Sequence, residues 1–219
     1  MKKQILFPIL VLIAFAGVPG LLPAQDQLTL KWSPLGLIDP NRGQVLLGAE
    51  FRPWPVLSLE VSYGIRLSQT ELLGWNNTKQ DRRYENLRLE IRTYPIEEVP
   101  VYWGLEGFRI WETYRLEEGI YWGGGSGPFT FDRADVSRQI WGVCPKIGFL
   151  IPLSKRLRLD MYGGLGLRSR TYTIVAENPL LQDEGFGGPE NYNPLIAGTT
   201  RRPHIAAGFR LGYMILKKK

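Results

Sequence analysis

The chain of 219 residues carries 27 Lys and Arg against 21 Asp and Glu, a formal net charge of +6, with a single Cys and a single His. A charge balance this mild, with basic residues mostly dispersed through the predicted strands, does not point to a nucleic-acid binder, and the lone Cys144 excludes an internal disulfide. Beyond residue 24 there is no apolar run of about 18 residues, so no membrane-spanning helix is expected.

The chain opens on a processing signal. Lys2 and Lys3 precede the apolar stretch Ile5 to Ala16, which Gly17, Pro19 and Gly20 break before "LLPAQ". That order places a secretory cut between Ala24 and Gln25. No Cys sits beside the cut, so no lipid anchor is expected. Residues 1–24 are read as the signal. Residues 25–219, with 25 basic against 21 acidic side chains, are read as one domain without linker or repeat.

Eight strands are predicted, over 27–37, 44–52, 56–67, 83–94, 101–115, 136–151, 156–174 and 203–216. The signal is a two-residue period, which sends successive side chains to opposite faces of a sheet. In the second strand Val45, Leu47, Ala49 and Phe51 oppose Leu46, Gly48, Glu50 and Arg52. The third is the cleanest: Leu57, Leu59, Val61, Tyr63 and Ile65 oppose Ser58, Glu60, Ser62, Gly64 and Arg66. The fourth sets Leu87, Leu89 and Ile91 against Arg88, Glu90 and Arg92. In the fifth, Trp103 and Leu105 oppose Glu106, but Phe108 and Ile110 disturb the order. The sixth sets Trp141, Val143, Ile147 and Phe149 against Gly142, Cys144, Lys146 and Gly148. In the seventh, Leu157, Leu159, Met161, Leu165 and Leu167 oppose Arg158, Asp160, Tyr162, Gly164, Gly166 and Arg168. In the last, Ile205, Ala207, Phe209, Leu211 and Tyr213 oppose Ala206, Gly208, Arg210 and Gly212. Pro34 and Pro145 each remove a ladder donor, so a bulge or a shorter strand is expected at each.

The connections alternate in length. Those after the second, fourth and sixth strands are tight ("PWP", "PIEEVP", "PLSK"), and those after the third, fifth and seventh span about 68–82, 116–135 and 175–202. "IDPNRG", after the first strand, is a short exception. Short turns at one end and long loops at the other, with an even strand count, predict an all-β fold: an eight-stranded antiparallel up-and-down transmembrane barrel with both termini on the short-turn side.

The polar register decides which face meets lipid. Gly48, Gly64, Gly142, Gly148, Gly164, Gly166, Gly208 and Gly212 all fall in it. A water-facing sheet gains nothing from glycine, whereas the narrow lumen of an eight-stranded barrel admits only a limited set of side chains. The same register holds Glu50, Glu60, Glu90, Glu106 and Asp160 with Arg88, Arg92, Lys146, Arg158, Arg168 and Arg210. An interior ion network is therefore expected, with Glu60, Glu90 and Asp160 paired among Arg88, Arg92, Arg158 and Arg210. Aromatic girdles are expected at Trp54, Tyr94, Tyr102, Trp103 and Tyr213 on the short-turn side. Trp111, Trp141 and Tyr172 would form the other belt.

The signal, the eight alternating strands and the loop lengths resemble small bacterial outer-membrane barrels of the OmpA-membrane-domain and OmpX type. "KWSPLGL" (Lys31–Leu37) followed by "GQVLLGAEFR" (Gly43–Arg52) resembles, more narrowly, the opening of uncharacterised barrels of the Bacteroidota. The resemblance implies a location, the outer membrane of a Gram-negative bacterium, and a fold. It implies outer-membrane lipid and the assembly machinery as partners, and no known activity. Many such barrels end on an aromatic residue; here Lys217, Lys218 and Lys219 follow Leu216, with Tyr213 inside the strand.

Chemistry is sparse. Barrel lipid A deacylases use a His with a Ser two positions later, but Ala206 stands two after His204. "GGLGLRS" (163–169) lies within a strand and "GGGSG" (123–127) within a loop, neither with the strand-to-helix turn that a phosphate cradle needs. Asp132 with Asp135, and Asp183 with Glu184, are read as solvated charge. No catalytic, cofactor or metal residue is expected. Leu180, Leu181, Phe186 and Tyr192 give the last long loop an apolar character suited to a surface partner. The expectation is a non-enzymatic barrel with an envelope-structural or surface-contact role. The rivals are a soluble small-ligand barrel, a lipid-modifying enzyme and a narrow pore.

Overall fold

A computed structural model describes residues 27–35, 44–66, 79–96, 99–122, 128–181 and 195–217. The expected signal, 1–24, most of the loop over 68–82, and 182–194 of the loop expected over 175–202 lie outside the described residues; the rest of that last loop is largely strand, since β7 runs to Glu177 and β10 begins at Gly198. The elements are β1 (Gln27–Ser33), β2 (Gln44–Trp54), β3 (Leu57–Arg66), β4 (Lys79–Thr93) and β5 (Val101–Trp122). They continue as β6 (Pro128–Pro152), β7 (Leu157–Glu177), the two-residue β8 (Leu180–Leu181) and β9 (Leu195–Ile196), and β10 (Gly198–Lys217). Each long strand pairs antiparallel with its neighbour in the chain, β10 pairs with both β7 and β1, and the β5–β6 ladder completes the ring. The protein is an eight-stranded antiparallel barrel.

The two registers meet different surroundings. Glu60, Glu90, Arg92, Asp160 and Arg210 are buried inside, while Leu89, Leu105, Trp141, Phe149, Leu167 and Ile205 are exposed outside. The outward apolar run covers 57–65 on β3, 141–151 on β6 and 157–167 on β7. Each length is close to the roughly 9–11 residues that a tilted strand needs to cross a bilayer. Aromatic side chains of the lumen close over glycine: Tyr102 faces Gly148 and Phe108 faces Gly142 across the β5–β6 ladder. A Cβ at Gly142 would lie 2.5 Å from the Phe108 ring, so only glycine lets that ring occupy the interior.

Several expectations need correction. The loop expected over 116–135 is mostly hairpin, because β5 runs on to Trp122 and β6 begins at Pro128. Phe108 and Ile110 do not disturb the order of β5; both keep the inward register and are buried. Pro34 does end β1 early, at Ser33, but Pro145 makes no bulge. Pro145 faces outward opposite Leu105, and its missing donor falls on the β7 side. There pairing lapses between Val143↔Leu167 and Lys146↔Gly164 without a change of register. The register shifts instead at Leu28/Thr29, Phe51/Trp54 and Gln80/Arg83. Tyr94, Tyr102 and Tyr172 do not join the girdles, since their parity turns them inward. Trp54, Trp103, Trp141 and Tyr213 do face outward.

Candidate functional site

Building the lumen upward from the short-turn end, the first layer is aromatic: Tyr94, Tyr102 and Leu150, with Tyr162 against them. Their hydroxyls serve the layer above. Tyr94 donates to Glu50 Oε1 (2.8 Å) and Tyr102 to Asp160 Oδ1 (2.7 Å). Burying a phenol is favourable when its hydroxyl finds such a partner.

Above it lies an ion network of five carboxylates and five cations, so its formal charge cancels. Lys31 reaches Glu50 (2.6 Å), Glu60 (3.0 Å) and Asp160 (2.7 Å). Arg92 binds Glu60 (2.7 Å), Glu90 (2.9 Å) and Asp160 (2.7 Å), and stacks 4.3 Å from the Tyr102 ring. Arg210 binds Glu60, Glu90 (3.1 Å) and Glu106 (3.3 Å). Lys146 contacts Glu90 (3.4 Å) and Glu106, and Arg88 reaches Glu106 (3.0 Å). Every strand of the ring contributes at least one member, so the network forms only when the ring closes. Two charges taken out of water lose several kcal/mol each in hydration, which multiple partners of opposite sign offset.

An apolar layer follows, made of Tyr84, Phe108, Ile110 and Ile140. His204 packs against Phe108 with ring centroids 4.6 Å apart and the rings tilted by 47°. Next comes a second polar cluster. Glu112 is held by Arg82 (2.7 Å), Lys79 (3.7 Å) and Arg138. Burial would raise the Tyr172 hydroxyl, but Arg138 and Arg170 outweigh it and hold the phenol below its ordinary value.

At the far end β5, β6 and β7 continue past the outward apolar run as a wall. Its inner side is an apolar core of Tyr114, Phe131, Ala134 and Val136, with Leu116, Tyr121, Ile174 and Ala176 packed against it. Burial and the neighbouring Tyr172 push the Tyr114 phenol well above its ordinary value. Its outer side carries Arg115, which pairs with Asp81 (2.9 Å) and Asp135 (3.1 Å). Val175, Leu180, Leu181, Trp122 and Ile196 stay exposed at the edges.

Among the residues expected in the network, Glu60, Glu90, Asp160, Arg88, Arg92 and Arg210 come together. Arg158 does not: it sits one inward position below Asp160, opposite Gly212 and Pro152, and forms no ion pair among the described residues. Lys31 is absent from the expected set, although the alternation of Leu28, Leu30 and Trp32 with Thr29, Lys31 and Ser33 marks it as inward. Glu112 is absent too, because Phe108 and Ile110 hide its parity with Glu106. Of the apolar loop residues, Leu180 and Leu181 pair with Thr130 and Phe129 of β6, while Phe186 and Tyr192 lie outside the described residues. "GGLGLRS" lies inside β7; "GGGSG" is outside the described residues. Among the described residues no group of His, Cys, Asp and Glu is arranged to hold a metal ion.

No protein-family model matches the chain, and no curated protein does. Two solved structures are similar. CarO of Acinetobacter baumannii is 9% identical, with a TM-score of 0.40; the match covers 90% of this chain and 100% of that one. A major outer membrane protein from Thermus thermophilus is 10% identical, with a TM-score of 0.35, over 87% of this chain and 98% of that one. At these values the functional reading rests on the barrel's own geometry.

Proposed function

We propose that this protein is a non-enzymatic outer-membrane barrel whose filled lumen is structural and whose working surface is the projecting β5–β6–β7 wall. Residues 1–24 direct export, the assembly machinery inserts the chain, and the short-turn end faces the periplasm of a Gram-negative cell. Strand number and loop alternation support a place beside the OmpA-membrane-domain and OmpX type. One observation carries the reading: β6 spans 25 residues, while its outward apolar run covers only 141–151. The stretch above that run, 128–140, extends roughly 40 Å at about 3.3 Å per residue. That length, with a core of its own, exceeds what closing a loop over a barrel requires. The wall and the exposed Leu180 and Leu181 beside it suit contact with a surface partner.

The layered lumen argues against a pore, and an apolar exterior around a charged interior is the reverse of a soluble carrier. The test is a shortened hairpin, with Arg115 joined to its ladder partner Asp135 by Asn-Gly. Both proteins should refold into vesicles with heat-modifiable gel migration and without conductance, but only the full chain should restore the envelope properties of a deletion strain. Full rescue by the shortened protein would refute a working role for the wall.

A further inference from the structure

Where the outward apolar run ends on β5, β6 and β7, a half-open groove of about 420 Å³ indents the outside of the barrel, lined by Arg109, Gln139, Ile140, Trp141, Thr171 and Thr173. The Ile140 side chain is buried on the lumen side, so the groove presents a guanidinium, an amide, an indole and two hydroxyls. Arg109 hydrogen-bonds Gln139 Oε1 (3.4 Å) and lies 4.7 Å from the Trp111 ring. It has no carboxylate partner among the described residues. Arg201, also outward, has none either. Both stand on one rung of paired residues, Arg109↔Trp141↔Ser169↔Arg201.

The contrast with the same face higher up is informative. Outward Arg115 is clamped by Asp81 and Asp135. Glu85, the outward carboxylate of the neighbouring β4, hydrogen-bonds the Tyr63 hydroxyl. Two arginines at the lipid boundary thus have no carboxylate partner among the described residues. Immediately below them the face is apolar: Val143, Leu165, Leu167 and Ile205 are exposed. Gly107, two residues before Arg109 and between Leu89 and Val143, leaves an open slot, with nothing within 4 Å of where its Cβ would lie.

We propose that this face binds a phosphorylated glycolipid of the outer leaflet. Its phosphates rest on Arg109 and Arg201, its sugars on Gln139, Thr171 and Thr173, and an acyl chain lies in the slot at Gly107. Three strand spacings separate the two arginines, about 14 Å at about 4.8 Å each. That span suits a disaccharide phosphorylated at both ends. Guanidinium binds phosphate in a fork that lysine cannot match.

The inference rests on the outer-membrane reading above, so the test separates the two. The protein is refolded into nanodiscs, its insertion is checked by heat-modifiable migration, and native mass spectrometry counts retained hexa-acylated bisphosphorylated disaccharide lipid. The wild type should retain one molecule. Arg109→Gln with Arg201→Gln should weaken retention about tenfold or more, as expected for lost charge-assisted hydrogen bonds. Gly107→Leu should weaken it too without lowering stability, and Arg115→Gln should change nothing. Equal retention of phosphatidylglycerol, displacement by millimolar inorganic phosphate, or an unaffected double variant would overturn the proposal while leaving the membrane reading intact. A protein that enters no bilayer would overturn both.

Discussion

Strand β6 passes through two environments, and its polarity inverts between them. Over 141–151 the outward side chains are Trp141, Val143, Pro145, Ile147, Phe149 and Ile151, and the inward ones include Gly142, Cys144 and Lys146. Higher up, the outward side chains are Asp135, Ser137 and Gln139, while Val136 and Ala134 point into an apolar core. The register is continuous through both halves; the ladder to β5 runs unshifted from Phe149 to Pro128 and lapses only at Glu118 and Asp132, where Glu118 takes a φ of 55°. Only the outer medium has changed. Lipid selects apolar side chains outside and tolerates neutralised charge inside, whereas water reverses both preferences. The inversion near residue 139 therefore marks where the bilayer ends.

Substitutions can break or sharpen that contrast. Arg92→Ala should have the largest effect, because it strips a buried cation from Glu60, Glu90 and Asp160. A loss of about 3–5 kcal/mol is expected for breaking such a network, readable as a lower urea midpoint in vesicles. Val143→Arg places a charge in lipid and should cost about 2–4 kcal/mol. Ser137→Arg, outward on the same strand but beyond the bilayer, should stay within about 0.5 kcal/mol. Equal insertion defects for the pair would remove the boundary from β6. Val136→Ala should loosen only the projecting wall, by roughly 1–2 kcal/mol. Limited proteolysis should then cut near 116–133 while the barrel's heat-modifiable transition stays in place. Arg115→Ala, which removes a partly exposed pair with Asp81 and Asp135, should cost about 0–1 kcal/mol. A larger fall in the wall's protease resistance would mean that this outer pair, rather than the apolar core, holds the wall up.

The same contrast explains what was legible. Inside the bilayer the alternation of β3, β4, β6 and β7 is strict, because each face has a single solvent and neither tolerates the wrong residue type. Strand number, inward charges and lumen glycines follow from that period alone. In the wall the preference reverses, so "LEEGIYW" and "FDRADVS" carry charge where apolar residues had marked the outer face, and the stretch resembles a loop. Its strand character depends on pairing between β5 and β6, a long-range contact.

Aromatic residues divide along the same line. Trp103 and Trp141 hold outward positions that any barrel of this register would give them. Tyr94 and Tyr102 look equally suited to a girdle by composition, yet parity sends them to Glu50 and Asp160. The sequence by itself determined the barrel, its inside and its outside, since a two-residue period is a local property of the chain. Only the tertiary structure decided which carboxylate meets which cation, because partners such as Lys31 and Asp160, 129 residues apart, are matched by the stagger of the closed ring. The same holds for Arg158, left outside the network by one inward step, and for the height of the wall, where neighbouring strands supply the hydrogen bonds that no local pattern announces.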